Sequence, residues 1–256
     1  MRHLALVLLS AVAIAGEIAT QAVDYRLGEL ALRGYQATPV GAVGVPGVLV
    51  VHEWWGANDY ALRRARELAE RGYAAFACDM YGGGAVTDDP KQAGALAGPF
   101  YQDRALMVTR ARAGLAQLAK VPGVDPKRLS AIGFCFGGTV VLELARAGEP
   151  LRVAASFHGG LKTTTMVQPG AILAQVLVLH GGSDPMVPPA EVAGFIAEMI
   201  AAKADWSMAV YGTALHAFTN PKARELHAVL PAVDHDPAAE AASFVALHTA
   251  LVERNR

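Results

Sequence analysis

Short apolar runs, each closed by glycine or polar residues and each followed by a stretch of helical periodicity, recur along the chain and constrain its fold more than any other feature. Gly47-Val48-Leu49-Val50-Val51-His52, Tyr73-Ala74-Ala75-Phe76-Ala77-Cys78, Leu129 through Phe134, Val153 through Phe157, Val176 through His180 and Trp206 through Tyr211 read as strands. Most are apolar throughout rather than alternating, the pattern of strands covered on both faces. Between them the spacing predicts helices over 59–71, 90–119, 138–147, 189–202 and 238–254. In the first, Asn58 caps the start, Leu62, Ala65, Leu68 and Ala69 share one face, and Gly72 closes the end. The longest carries Gly94 and the Gly98-Pro99 pair as candidate breaks. This alternation implies an α/β fold, a mostly parallel twisted sheet with helices on both faces. Residues 25–35 read as an extra strand pair or edge strand ahead of it. No linker divides the chain, so one domain is expected over 16–256.

The composition supports a single large core, with 53% hydrophobic residues in 256. Lys and Arg number 22 against 23 Asp and Glu. That balance argues against a nucleic-acid groove or an anionic-membrane patch, both of which need a basic excess. The first residues have the pattern of an export signal. Arg2 and His3 precede an apolar run from Leu4 to Ala15 interrupted only by Ser10, and Ala13-Ile14-Ala15 offers a cleavage site before Gly16. A signal peptide over 1–15 and a periplasmic or secreted mature protein are therefore expected; a retained apolar N-terminal helix is the alternative. The run is short for a membrane span, no cysteine follows it to carry a lipid, and no later segment is long enough to cross, so no stable membrane insertion is expected after processing.

Gly133-Phe134-Cys135-Phe136-Gly137-Gly138 lies between a predicted strand and a predicted helix, the setting of a nucleophile elbow with cysteine in place of serine. The sharp turn needs small residues on either side of the nucleophile. A helix N-terminus and a nearby imidazole both favour thiolate there, and the Phe136 N–H points to where an oxyanion would form. Alone, the pattern equally fits a buried cysteine on a glycine-rich turn. Downstream, however, Val176 through Pro185 delivers Asp184 just past a strand end, and Ala209 through Phe218 delivers His216 in the loop after the next strand. Nucleophile, acid, histidine is the chain order of hydrolases built on such sheets. All three lie beyond C-terminal strand ends, where open α/β sheets hold ligands.

The loop His52-Glu53-Trp54-Trp55-Gly56 follows the first buried strand and offers the Trp54 N–H as a second oxyanion donor. Glu53 fits either an ion-paired carboxylate or a group handling the thiol's proton. Trp54 and Trp55 fit either a substrate wall or the core. Cys78, in a strand of small and apolar residues, reads as an inert core thiol. The histidines show no metal-ligand spacing; His158, His180, His227, His235 and His248 read as packing or surface residues.

Together, His52-Glu53-Trp54-Trp55-Gly56, Asp79-Met80-Tyr81-Gly82, Gly133 through Gly138, His180-Gly181-Gly182-Ser183-Asp184-Pro185 and His216-Ala217-Phe218 resemble the motifs of the dienelactone hydrolase (carboxymethylenebutenolidase) family of α/β-hydrolases, in order and over nearly the whole mature chain. The resemblance implies Cys135 as nucleophile, His216 as general base and Asp184 as its orienting acid. It also implies that Glu53 interacts with Cys135 at rest, that the amides of Trp54 and Phe136 form the oxyanion hole, and that the protein is a monomer. Trp55, Tyr81 and Phe218 are the substrate-binding candidates. Gly83 and Asn220 stand where the family's founding members hold the dienelactone carboxylate with arginines, which argues against dienelactone as the substrate. The expected activity is hydrolysis of a small ester or lactone through a Cys135 thioester, with no metal or cofactor. Two alternatives accompany it: a non-catalytic exported module binding a small apolar ligand, and a redox thiol pairing Cys135 with Cys78.

Overall fold

The computed structural model describes residues 16–164 and 167–256, and the expected signal peptide lies outside them. Its elements in chain order are β1 (Ile18–Leu27), β2 (Leu30–Pro39), β3 (Val45–Val51), α1 (Asp59–Ala69), β4 (Ala74–Cys78), α2 (Pro90–Gln102), α3 (Arg104–Leu118), β5 (Val124–Phe134), α4 (Phe136–Arg146), β6 (Val153–Phe157), β7 (Gln175–Gly181), α5 (Pro189–Ala201), β8 (Trp206–Tyr211), α6 (Lys222–Leu226) and α7 (Pro237–Arg254). Among the described residues the strands form one sheet in the order β1-β2-β4-β3-β5-β6-β7-β8. From β4 to β8 all neighbours pair in parallel, while β1 and β2 join antiparallel at one edge.

Alternation within each strand sends side chains to two cores. Leu49 and Val51 of β3 join Met107, Leu115, Val140, Phe195 and Met199 on the face covered by α2 to α5. Val48 and Val50 of the same strand join Tyr60, Leu68, Leu247 and Leu251 on the face covered by α1 and α7. Both faces of the central strands are therefore dry, which explains their unbroken apolar runs.

The edge and one helix differ from expectation. The predicted feature over 25–35 is a longer hairpin, turning at Gly28, whose φ of 58° suits glycine. The outer strand β1 pairs only with β2 and is largely exposed, so it carries no apolar run to betray it. The single helix expected over 90–119 is two helices. The break falls at Asp103, which is extended and caps α3 through its side chain (Ala105 N–H to Oδ1, 2.9 Å), and not at Gly94 or at Pro99, which α2 accommodates. Helix α4 starts at Phe136 rather than Gly138, which puts Cys135 at its N-cap. The chain steps from β3 to β4 on one side and then crosses from β4 past β3 to β5 on the other, after which every step continues in that direction. The crevice of such a sheet opens at this switch, above the C-terminal ends of β3 and β5.

Candidate active site

Cys135 sits between β5 and α4 with φ 53° and ψ −114°. A non-glycine residue at positive φ is strained, and the turn is held there by close packing of its neighbours. A Cβ at Gly133 would strike the Gly137 carbonyl, and one at Gly137 would strike the carbonyls of Val51 and His52. The glycines of the motif are thus required by the approach of β5, α4 and β3. Cys135 is partly exposed and has a free thiol; Cys78 is free and wholly buried, with its pKa pushed up to about 12 by burial.

His216 and Asp184 meet directly, His216 Nδ1 lying 2.8 Å from Asp184 Oδ2. The other oxygen of Asp184 accepts the Met186 N–H at 2.8 Å, which fixes the carboxylate plane. His216 Nε2 is buried and has no hydrogen-bond partner. Burial of this ring disfavours its charged form. A thiolate at Cys135 and the hydrogen bond to Asp184 outweigh that effect and hold the His216 pKa well above its ordinary value.

Glu53 is also buried. Its Oε2 accepts a hydrogen bond from Asn220 Nδ2 at 2.6 Å, and its Oε1 has no partner. Burial raises its pKa to about 7, although Asn220, His216 and Arg64 all favour the ionised form. Asn220 is therefore committed to Glu53; Gly83 bonds its N–H to Ala31 O at 2.9 Å and presents no side chain.

Trp54 lies in the turn after β3, and Phe136 opens α4. Their main-chain N–H groups join none of the hydrogen bonds among the described residues, leaving both free to donate. Tyr81 donates to Trp54 O (2.8 Å) and packs against Phe136, where Tyr101 also packs edge-on. The pKa of each tyrosine is raised, first by burial and next by the Cys135 charge. Trp55 is nearly buried and edge-on to Trp54. Phe218 corrects an expectation: it is wholly buried against His158 and Tyr211, so it supports the histidine loop and presents no surface to a ligand.

At three residues of the site the sequence conceals the role: Asp79 stands in a family-like motif without an assigned part, and Tyr101 and His158 lie in none. Asp79, after β4, accepts N–H groups from Arg33, Tyr81, Gly82 and Gly84 and so shapes the loop that positions Tyr81. Tyr101 belongs to the last turn of α2, inside the stretch expected as one long helix. His158 packs against Phe134, His216 and Phe218, as expected of a packing residue, and it also accepts the Cys135 N–H on Nδ1 at 3.1 Å. Its place directly after a strand end was the one available signal.

A mostly parallel sheet with a cysteine on a strained strand–helix turn, an Asp–His pair after later strands and free amides beside them has the architecture of an α/β-hydrolase. The sequence model of the Dienelactone hydrolase family matches residues 32–251, and the chain belongs to that family. It is similar to a dienelactone hydrolase-like promiscuous phosphotriesterase of solved structure from metagenomic libraries, at 39% identity and a TM-score of 0.88, covering 93% of this chain and 99% of that one. The solved structure of m3DLH matches at 38% identity with the same TM-score and coverage. Protein usf of Aquifex pyrophilus is 30% identical over 81% of this chain and 90% of its own length. The protein is thus a hydrolase of the dienelactone hydrolase type, a family acting on small molecules. Among the described residues no helix is long and apolar enough to cross a membrane.

Proposed function

We propose that the protein hydrolyses a small carboxylic ester or lactone through a thioester on Cys135. The observation that carries this reading is the Asp184–His216 pair with an unpaired, buried Nε2 whose charge a Cys135 thiolate stabilises. The Cys135 sulfur attacks the carbonyl carbon, and the amides of Trp54 and Phe136 receive the oxyanion. His216, held by Asp184, protonates the leaving alkoxide, which departs as the alcohol. His216 then takes a proton from water as it attacks the thioester, and the acid leaves as the thiol is restored. Glu53, with one oxygen free of partners, is assigned to take the thiol's proton before attack and pass it to His216, which thus carries the proton the alkoxide receives; the proton His216 later takes from water returns to the sulfur as the acid leaves. Gly83 and Asn220 leave a substrate carboxylate without the arginine pair, so neutral acyl groups are the preferred class.

A second substrate class, phosphotriesters, is favoured by the 39% identity to a promiscuous phosphotriesterase. Export is proposed on the leader over 1–15, with the first described strand beginning at Ile18, just past the expected cleavage point. N-terminal sequencing of the mature protein should then begin at Gly16.

The deciding assay is hydrolysis of p-nitrophenyl acetate and a p-nitrophenyl phosphotriester by the wild type, Cys135→Ala and His216→Ala under reducing conditions. Turnover in the wild type alone is expected. Equal turnover in all three, or none in any, would favour a ligand-binding module instead.

A further inference from the structure

His158 bonds to each of the elements that carry Cys135, Asp184 and His216. Its main-chain N–H donates to Leu179 O of β7 at 2.9 Å, the strand that leads to Asp184. Its ring Nδ1 accepts the Cys135 N–H at 3.1 Å, an amide shared with Phe157 O at 3.0 Å. Its ring Nε2 lies 2.8 Å from Thr219 Oγ1, on the loop that carries His216. Thr219 is wholly buried. Its hydroxyl continues to Tyr60 Oη at 2.5 Å, and its carbonyl accepts from Arg64 Nη2 at 2.8 Å.

The chemistry of these partners fixes the ring's protonation. A main-chain N–H can only donate, so Nδ1 must be bare and the proton must sit on Nε2, facing Thr219. A second proton on Nδ1 would break the bond to the nucleophile's amide. It would also place a cation beside the His216 ring, whose centroid is 5.3 Å away, and near Arg64. Burial first, and the His216 charge second, hold the His158 pKa well below its ordinary value. The backbone of His158 is itself in the left-handed region, at φ 40°, next to the strained Cys135 at φ 53°.

We propose that His158 is a positioning residue: a neutral imidazole strut that sets the Cys135 elbow and the His216 loop at a fixed separation. It touches no reacting atom. It acts by fixing where the sulfur stands relative to His216 Nε2, and it rests on the reading of those two residues as the reacting pair. The ring bonds both loops at once and spans two residues in the left-handed region, Cys135 and His158 itself, and the wholly buried Thr219 hydroxyl has no role in the chemistry proposed above except to receive this proton.

The test uses His158→Phe, which keeps the ring's volume, and His158→Asn, whose side-chain oxygen mimics Nδ1 and whose backbone tolerates positive φ. Thr219→Val and Thr219→Ser probe the far end of the strut. The readouts are the iodoacetamide alkylation rate of Cys135 as a function of pH, and kcat and KM on p-nitrophenyl acetate. His158→Phe should slow alkylation at mildly acidic pH about 10-fold and move its midpoint to higher pH, as the thiol–imidazole pair loosens. It should lower kcat about 10- to 100-fold with KM little changed. His158→Asn should recover part of both, Thr219→Val should repeat the effect more weakly, and Thr219→Ser should match the wild type. An unmoved alkylation profile in a folded His158→Phe protein overturns the proposal, even if kcat falls. Should that variant not fold, a wild-type profile in Thr219→Val overturns it instead. Wild-type protein that hydrolyses no ester, yet whose alkylation depends on His158, sinks the hydrolase reading and leaves the strut standing.

Discussion

Replacing Glu53 with glutamine tests the site's electrostatics without moving its atoms. The carboxyl is 3% exposed, and burial lifts its pKa from 4.5 to about 7. Between those values the unfolded chain has released a proton that the folded protein keeps. Stability from this group is therefore complete below the unfolded pKa and is lost as pH rises through about 7. Once both states are ionised, the displacement corresponds to roughly 3 kcal/mol at ~1.4 kcal/mol per pKa unit. Glutamine never ionises, and its carbonyl can still accept from Asn220 Nδ2. Its NH2 would occupy the place of Oε1, which has no partner, so a fixed cost of about 1–3 kcal/mol is expected at every pH. Comparing two pH values cancels that cost. Urea unfolding of both proteins should show the variant gaining about 2–3 kcal/mol on the wild type between about pH 5 and about pH 8.5. A stability difference that stays constant within ~0.5 kcal/mol, or moves the other way, would refute the raised pKa and with it the view of Glu53 as a group able to exchange a proton near neutrality.

Asn220→Ala removes the hydrogen bond that favours ionised Glu53, so any ionisation of Glu53 seen in a pH–rate profile should move above about 7; a downward shift would reverse the assigned cause. Asp184→Asn cannot accept both the Met186 N–H and the His216 Nδ1–H, and kcat on an activated ester should fall by about 10²–10⁴ with the fold intact by circular dichroism. Gly137→Ala drives a Cβ into the main-chain carbonyls of β3, and thermal melting should show a loss of about 1–3 kcal/mol or more, since backbone cannot step aside as a side chain can. Asp79→Ala leaves the amides of Arg33, Tyr81, Gly82 and Gly84 without their acceptor, and should lower stability by at least ~3 kcal/mol while loosening Tyr81.

What the sequence reveals follows what each residue is selected to bury. Strands β3 to β7 are dry on both faces, so their apolar runs announce them, and the motifs at their C-terminal ends can be placed from those runs alone. The edge hairpin is half wet, and its alternation is too broken in β1 to mark its length. The break between α2 and α3 was misplaced because Pro99 is the louder signal, whereas the capping Asp103 decides the geometry. Asp184 and His216 are legible through order and spacing. Asn220 is legible as a departure from a family pattern, but its partner Glu53 is not, because the two lie far apart in sequence and meet only through the fold. Phe218 was misread for a related reason: proximity to His216 in sequence says nothing about which side of the loop a ring takes.

The titrating groups around Cys135 are pushed apart by their surroundings, and the direction of each shift fits a cysteine mechanism. Burial drives the His52 pKa down to about 4 and that of His158 well below the ordinary range, so both rings are neutral at working pH and serve as hydrogen-bond partners. Burial acts on His216 as well, but there Asp184 and a Cys135 thiolate reverse its effect, so this is the one histidine of the three that favours charge. Glu53 stands between these extremes, neutral or ionised within reach of pH 7. A serine hydroxyl at this position would give His216 no such anionic partner. On the proposed mechanism the Cys135 anion therefore supplies part of the field that charges His216, and a Cys135→Ser variant should lose that stabilisation. His216 should then titrate lower, as followed by NMR of the imidazole, and an unchanged titration would show that Asp184 alone sustains it.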